Sequence, residues 1–186
     1  MPSPKTRILS AVADRLDALT EGVGRIVAYF TLITVLICFA TVYLRYAMGI
    51  GFVWLQESYV WTHVAAIMFG SAYAMLQGGF VRIDTLYNRM SDKGKALVDL
   101  FGTLVFLGPF LWMMGTSSWF FFITSWQMSE RSAYESGLPA IYLVKGTLVV
   151  FVVLVGVQGV SIVLRSLLAL MGHRPTAKPI VSPDAY

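Results

Sequence analysis

The chain has 186 residues, of which 57% are hydrophobic and only 13% are charged, and its mean hydropathy is +0.70. A soluble domain of this length needs a charged exterior, which so few charged side chains cannot supply, so the composition excludes an ordinary soluble protein. The net charge of +4 follows membrane topology, as shown below, and does not indicate nucleic-acid binding; the single Cys38 excludes an intrachain disulfide and a thiolate metal cluster.

The first predicted element covers residues 1–25. Its acidic residues Asp14, Asp17 and Glu21 fall on one side of a helical wheel. Its apolar residues recur at helical spacing on the other side, namely Ile8, Leu9, Val12, Leu16, Leu19 and Val23. This pattern predicts an amphipathic helix that lies on the cytoplasmic membrane surface. A helix packed on the cytoplasmic face of a partner protein fits the same pattern.

Four apolar segments follow, each about 20 residues or longer and free of Asp, Glu, Lys and Arg, which is the length needed to cross a bilayer. The third is the longest, and Gly108-Pro109 predicts a kink within it. The tail, residues 166–186, is rich in proline after Gly172 and is predicted to be disordered and cytoplasmic. The sequence therefore predicts an all-α integral membrane domain over residues 26–165, with spans at 26–44, 58–81, 100–128 and 146–164.

Lys and Arg are distributed unequally between the two sides of these spans. Eleven of the fourteen lie before the first span, between the second and third, or after the fourth. Only Arg45, Arg131 and Lys145 lie on the other side. Because cytoplasmic loops carry the excess of basic residues, both termini are predicted to be cytoplasmic. The long, partly acidic leading region does not resemble a cleavable signal peptide.

His63 is the one titratable residue well inside a predicted span. It shares a helical face with Gly70 and lies next to a ladder of small residues spaced four apart, Ala66, Gly70, Ala74 and Gly78. Such ladders allow helix backbones to approach closely. His63 is therefore predicted to form an interhelical hydrogen bond, and a proton or ligand role is the alternative.

Polar residues also mark the ends of the spans. Trp54, Glu57 and Trp61 share one face at the outer start of the second span, where Glu57 is predicted to pair with Arg45; unpaired side chains that reach the interface are the alternative. At the inner end, Arg82-x-Asp84 either meets a partner or simply ends the helix. The third loop carries Glu130, Arg131 and Glu135, and is either an ordinary polar loop or a docking surface.

The sequence contains no catalytic constellation, no phosphate-binding glycine motif and no second half that resembles the first. A complete solute pathway is therefore not expected. No cofactor or metal site is predicted either. A haem or quinone anchor normally needs two axial ligands at matched depth, and His63 alone is available. A free-standing membrane protein unrelated to transport is the other alternative.

The order of several short motifs resembles the small membrane subunit (DctQ-type) of tripartite ATP-independent periplasmic (TRAP) transporters. The resemblance runs from about Arg25 to Arg165. Two positions depart from it, because Phe80 stands where the family usually has His, and Gly146-Thr147 where Pro is common. The motifs are Arg45-Tyr46, Trp54, Glu57, Trp61, Gly70, Gly78, Arg82-x-Asp84, Ser136-Gly-Leu-Pro139, Lys145 and Gln158-Gly159.

This resemblance implies an accessory subunit of an ion-gradient-driven importer of a small organic acid in the bacterial inner membrane. The implied partners are a large permease subunit and a periplasmic solute-binding protein. Contacts with the binding protein are expected at Glu130, Arg131 and Glu135. Contacts with the permease are expected at Arg45, Trp54, Glu57, Trp61, Gly70, Arg82 and Asp84.

Overall fold

A computed structural model describes residues 4–78, 87 and 89–172. Predictions for Arg82, for Asp84 and for the tail beyond Gly172 lie outside the described residues. Within those residues the chain has no strand, and four of its helices are long and apolar enough to cross a membrane, as predicted. They are α1 (Pro4–Ala47), α2 (Val53–Leu76), α3 (Asp92–Gln127) and α4 (Tyr142–Leu170).

Helix α1 is one continuous helix of 44 residues, about 66 Å long, and has no break between the predicted surface helix and the first predicted span. Its inner part packs on the rest of the chain, because Ala13 and Thr20 are buried and Asp17 contacts α4. Three large apolar side chains of this part, Ile8, Val12 and Leu19, stay exposed. Their position on a membrane surface stays a prediction.

Helix α4 is central to the packing. It contacts α1, α2 and α3, whereas α1 and α2 also pack on each other as an antiparallel pair. Its residues Leu154 and Val155 form the buried core together with Ala72 and Met75 of α2. The connection 48–52 and the loop 128–141 lie at one end, here called the outer end after the predicted topology. The beginning of α1 and the end of α4 meet at the inner end.

Small residues bring α1 and α2 together. A Cβ atom built on Gly24 would lie 2.2 Å from Cγ of Tyr73, so only glycine fits this position. By contrast, a Cβ atom on Gly70 would lie 3.8 Å from Cγ1 of Val27, which is an ordinary contact. The close contact between α1 and α2 therefore lies at Gly24 and not at the predicted ladder on α2.

Helix α3 contains a π-helical turn at Thr103–Leu107, directly before the predicted kink at Gly108-Pro109. Pro109 has no N–H group and its ring clashes with the carbonyl four residues earlier, which disfavours regular α-helix there. The Gly108 N–H donates instead to the carbonyl of Thr103. Gly159 of α4 lies against this turn, since a Cβ atom there would be 3.1 Å from Leu107.

The contact at Gly24 predicts a sharp difference between two neighbouring glycines. Gly24→Ala should destabilise the α1–α2 pair by about 1–3 kcal/mol, because the base of the Tyr73 side chain cannot move aside easily. Gly22→Ala, where nothing lies within 4 Å, should be neutral or slightly stabilising. Thermal unfolding in detergent measures both. Equal midpoints for the two variants, or a penalty for Gly24→Ala that persists in a Tyr73→Ala background, would contradict the packing described.

Candidate functional site

The inner polar cluster, formed by Asp14, Asp17, Gln158, Ser161 and Arg165, joins α1 to α4 at the inner end. Asp17 lies at its centre and accepts hydrogen bonds from Ser161 Oγ at 2.6 Å and from Gln158 Nε2 at 3.2 Å. Arg165 donates to Asp17 through Nε at 2.9 Å and through a second guanidinium nitrogen. The same second nitrogen donates to Asp14 at 2.9 Å. One carboxylate thus connects three side chains of α4.

Burial separates the two acids of this cluster. The side chains of Asp17 and Arg165 are 17% and 19% exposed, whereas that of Asp14 is 56% exposed. Removing one partner of a buried ion pair leaves an uncompensated charge, so Asp17 is the costlier residue to lose. Two buried polar atoms nearby, Oγ1 of Thr20 and Oε1 of Gln158, have no hydrogen-bond partner within the described part of the chain.

Glu57 of α2 holds the outer loop, residues 128–141. Its carboxylate accepts a hydrogen bond from Ser132 Oγ and a second one, at 2.5 Å, from the backbone N–H of Leu138. Gly137 makes this approach possible, because a Cβ atom there would lie 2.3 Å from Ser132 Oγ and 2.9 Å from a Glu57 oxygen. The Ser136-Gly-Leu-Pro139 motif therefore has a structural role as the segment that closes over Glu57.

Glu130 connects the same loop to α3 and α4. Its carboxylate pairs with Lys145 Nζ at 2.5 Å and accepts a hydrogen bond from Ser125 Oγ at 2.5 Å. The Lys145 ammonium also lies 4.1 Å from the ring centre of Phe121. The hydrogen bond from Lys145, followed by that from Ser125, holds the pKa of the Glu130 carboxyl below its ordinary value of 4.5. Glu130 thus fixes the loop and is not a free rim charge.

The expected Arg45–Glu57 pair does not form. The loop occupies both oxygens of Glu57, and Arg45 is exposed at the outer end of α1. Sequence reasoning paired these residues because they are close along the chain, whereas the loop that reaches Glu57 comes from 75 residues later. Arg131 and Glu135 are exposed on the outer loop. Whether they meet a partner stays a prediction.

The other residues expected at the permease fall in different surroundings. Trp54 is 46% exposed and its ring lies 5.8 Å from that of Phe52. Trp61 is half-buried, and Gly70 faces Val27 within the chain. Arg82 and Asp84 lie outside the described residues. The described members of this set thus differ in exposure, and the roles of all of them stay predictions.

His63 does not form the predicted interhelical hydrogen bond. Its side chain is exposed on the outside of α2, and it makes no hydrogen bond to any other residue that the structure describes. The bond between α1 and α2 comes instead from its neighbour, since Thr34 Oγ1 donates to Thr62 Oγ1 at 2.8 Å. A helical wheel gives angles between residues but not the side on which the next helix lies, so it could not show whether His63 faces α1 or α4.

Sequence reasoning also missed the inner polar cluster. It treated Asp14 and Asp17 as pointing away from the bilayer and Arg165 as a marker of topology. A signal was present in α4, where Gln158, Ser161 and Arg165 fall three and four residues apart and so share one helical face. Polar residues at that spacing in an apolar span predict a polar partner on a neighbouring helix.

Comparisons with known proteins add one finding. The model of the family described as "Tripartite ATP-independent periplasmic transporters, DctQ component" matches residues 34–170. This range includes both outer-loop acids and the α4 half of the inner polar cluster. No curated protein and no solved structure matches the chain. No group of three or more His, Cys, Asp or Glu residues that could hold a metal ion occurs in the described ranges.

The burial difference within the inner polar cluster predicts unequal effects of two matched substitutions. Asp17→Asn should lower the free energy of unfolding by up to about 3–5 kcal/mol, because Arg165 then keeps only the exposed Asp14 as its counter-charge. Asp14→Asn should cost less than about 1 kcal/mol, since this pair is exposed. Chemical denaturation of the purified chain in detergent measures both. Losses of similar size would mean that Asp17 is not the centre of the cluster.

The pKa of Glu130 predicts a pH dependence of stability. Because the folded state lowers this pKa, the contribution of Glu130 is complete above its ordinary value of 4.5 and is lost as pH falls through the lower folded-state value. The difference in thermal midpoint between the wild type and Glu130→Gln should therefore be constant above about pH 6 and shrink in more acid solution. A Lys145→Met background should weaken this trend. A difference that grows on acidification would contradict it.

Proposed function

This chain belongs to the DctQ family of tripartite ATP-independent periplasmic transporter components, and we propose that it is the small accessory subunit of such a transporter. The family model covers residues 34–170, which include all of α2, α3 and α4 and the last third of α1. In this role the chain binds a large permease subunit that carries the solute. The family assignment, together with the apolar spans, is the observation that supports this proposal.

An accessory role, and not transport by the chain alone, fits the polar groups of the spans. No Asp, Glu, Lys or Arg occurs within 26–44, 58–81, 100–128 or 146–164. A charged solute that crosses the bilayer needs compensating charge along its path. His63 is the only Asp, Glu, Lys, Arg or His residue of these ranges, and it is exposed on the outside of α2. The charged clusters of the chain lie at the ends of its helices, where they fix its shape.

We propose that this shape serves as a static support for a moving transport subunit. At the inner end, Asp17 connects α1 to α4. At the outer end, Glu57 and Glu130 connect the loop 128–141 to α2 and α4. These hydrogen bonds and ion pairs at both ends limit the sliding and tilting of the helices against one another. A support of this kind gives a partner a fixed surface.

The family is named for transporters that have three components and do not use ATP, and this supports the proposed partners and energy source. A tripartite system needs two further components, for which we propose the large permease subunit and a soluble solute-binding protein in the periplasm. An ATP-independent importer requires another source of energy, and we propose an ion gradient, with a small organic acid as the solute. These proposals place the chain in the bacterial inner membrane, with both termini in the cytoplasm.

The free charges at the outer end suit an encounter with the binding protein. Arg45, Arg131 and Glu135 are exposed there, whereas Glu57 and Glu130 are already bonded within the chain. Exposed rim charges mainly accelerate encounter and depend on salt. We therefore propose Arg131 and Glu135, more than Glu130, as contacts of the binding protein. The family assignment favours this transport role over an anchor for a haem or quinone enzyme.

Reconstitution into liposomes tests the proposed function. The chain alone should catalyse no solute uptake, because its spans offer no charged pathway. Addition of the large subunit, an ion gradient and the binding protein, supplied on the side that carries Glu135, should restore uptake. Supplying the binding protein only on the opposite side is the matched control. Uptake by the small chain alone, or full uptake by the large subunit and binding protein without this chain, would refute an accessory role.

A further inference from the structure

His63 is exposed at mid-membrane depth. It lies about 15 Å from the first residue of α2 and about 20 Å from the last, at 1.5 Å per residue. Val60, Ile67 and Ala74 fall within about 60° of it on the helix and are exposed as well. These four residues form the His63 strip, which faces neither α1 nor α4.

The imidazole differs from the other polar side chains of α2 at this depth. The hydroxyl groups of Ser58, Thr62 and Ser71 donate to backbone carbonyls of their own helix. An imidazole has no such bond here, although its two ring nitrogens offer one donor and one acceptor when it is neutral. Lipid tails provide no hydrogen-bonding group, so an exposed imidazole at this depth is costly unless another protein covers it.

The exposed surface of α3 provides a contrast at the same depth. Trp112 and Phe120 are 78% and 69% exposed, and the nearby Thr116 hydroxyl donates to carbonyls of its own helix. This surface is mostly apolar and suited to lipid, and each of its indole groups offers a single N–H donor. The imidazole of the His63 strip offers both a donor and an acceptor, so it has the greater need for a complementary polar group from outside the chain.

We propose that the His63 strip is the surface on which the large permease subunit packs, with the imidazole hydrogen-bonded to a hydroxyl, amide or carboxyl group of that subunit at mid-membrane. This inference rests on the proposed function, which supplies a membrane partner of a different kind. The small residue Ala74, about 16 Å further along the same face of α2, lets a partner helix approach closely there. The polar complement that the imidazole requires is the argument for a protein occupant in place of lipid.

A photocrosslinking amino acid at Ile67 or at Trp112 tests this placement in the co-expressed complex. The two positions are matched, because both are exposed and lie about 21 and 23 Å along their helices from the outer end. Position 67 should capture the large subunit, and position 112 should capture lipid. Capture of the large subunit from position 112 and not from position 67 would overturn the placement. So would capture from position 67 of lipid alone or of a second copy of this chain.

Substitution of His63 tests the hydrogen bond itself. His63→Leu should weaken retention of the large subunit by about 3- to 30-fold, the range for one interhelical hydrogen bond, and His63→Gln should retain most of it. Neither variant should lower the thermal midpoint of the isolated chain, since the imidazole bonds to nothing described within it. Equal retention by His63→Leu and the wild type would overturn the bond. If the wild type retains no large subunit, the proposed function fails and this inference fails with it.

Discussion

Hydrocarbon offers no hydrogen bonds, so each polar group of a membrane chain must find its partner within the protein or stay near water. In this chain the charged bonds between different elements lie near the two ends of the bundle, whereas the Glu21–Arg25 pair lies within α1. Asp17 and Arg165 form the buried pair at the inner end, and Glu130 and Lys145 form a pair in the loop at the outer end. Between the ends, the helices are joined by apolar contacts, by small residues and by the Thr34–Thr62 hydrogen bond. This division determines which parts of the chain have fixed positions.

The central place of α4 follows from this division. Its inner half supplies Gln158, Ser161 and Arg165 to α1, while Leu154 and Val155 pack in the core with α2. Because Gly159 has no side chain, the π-helical turn of α3 packs closely against α4 there. Because Gly159 lies next to Gln158, one segment of α4 makes both the polar and the close apolar contacts. A disturbance there would affect three helices at once. The polar residues of this strongly apolar span are tolerated because they are hydrogen-bonded to α1.

The sequence predicted that four helices are long and apolar enough to cross a membrane, because runs of apolar residues reflect bilayer thickness directly. It also predicted that α3 departs from regular α-helix beside Pro109, because a missing N–H group affects only the helical hydrogen bonds near it. It did not predict the hydrogen-bond donors of Glu57, because they come from a loop far along the chain. It did not predict that His63 is exposed, because the direction of this side chain depends on where α1 and α4 lie. Gly24 was missed for the same reason, because many small residues look alike until a neighbour such as Tyr73 is placed against one of them.

The polar groups thus fall into two classes with different consequences for a partner. Glu57 and Glu130 look like docking charges in the sequence, yet their oxygens are occupied, so a partner that used them would first have to open the loop. Exposed charges such as Arg131 cost little in water and can form weak contacts. At mid-membrane depth, an unsatisfied imidazole cannot be solvated by water unless a cavity admits it. The strongest demand for a protein partner therefore comes from the side of the bundle and not from its charged ends.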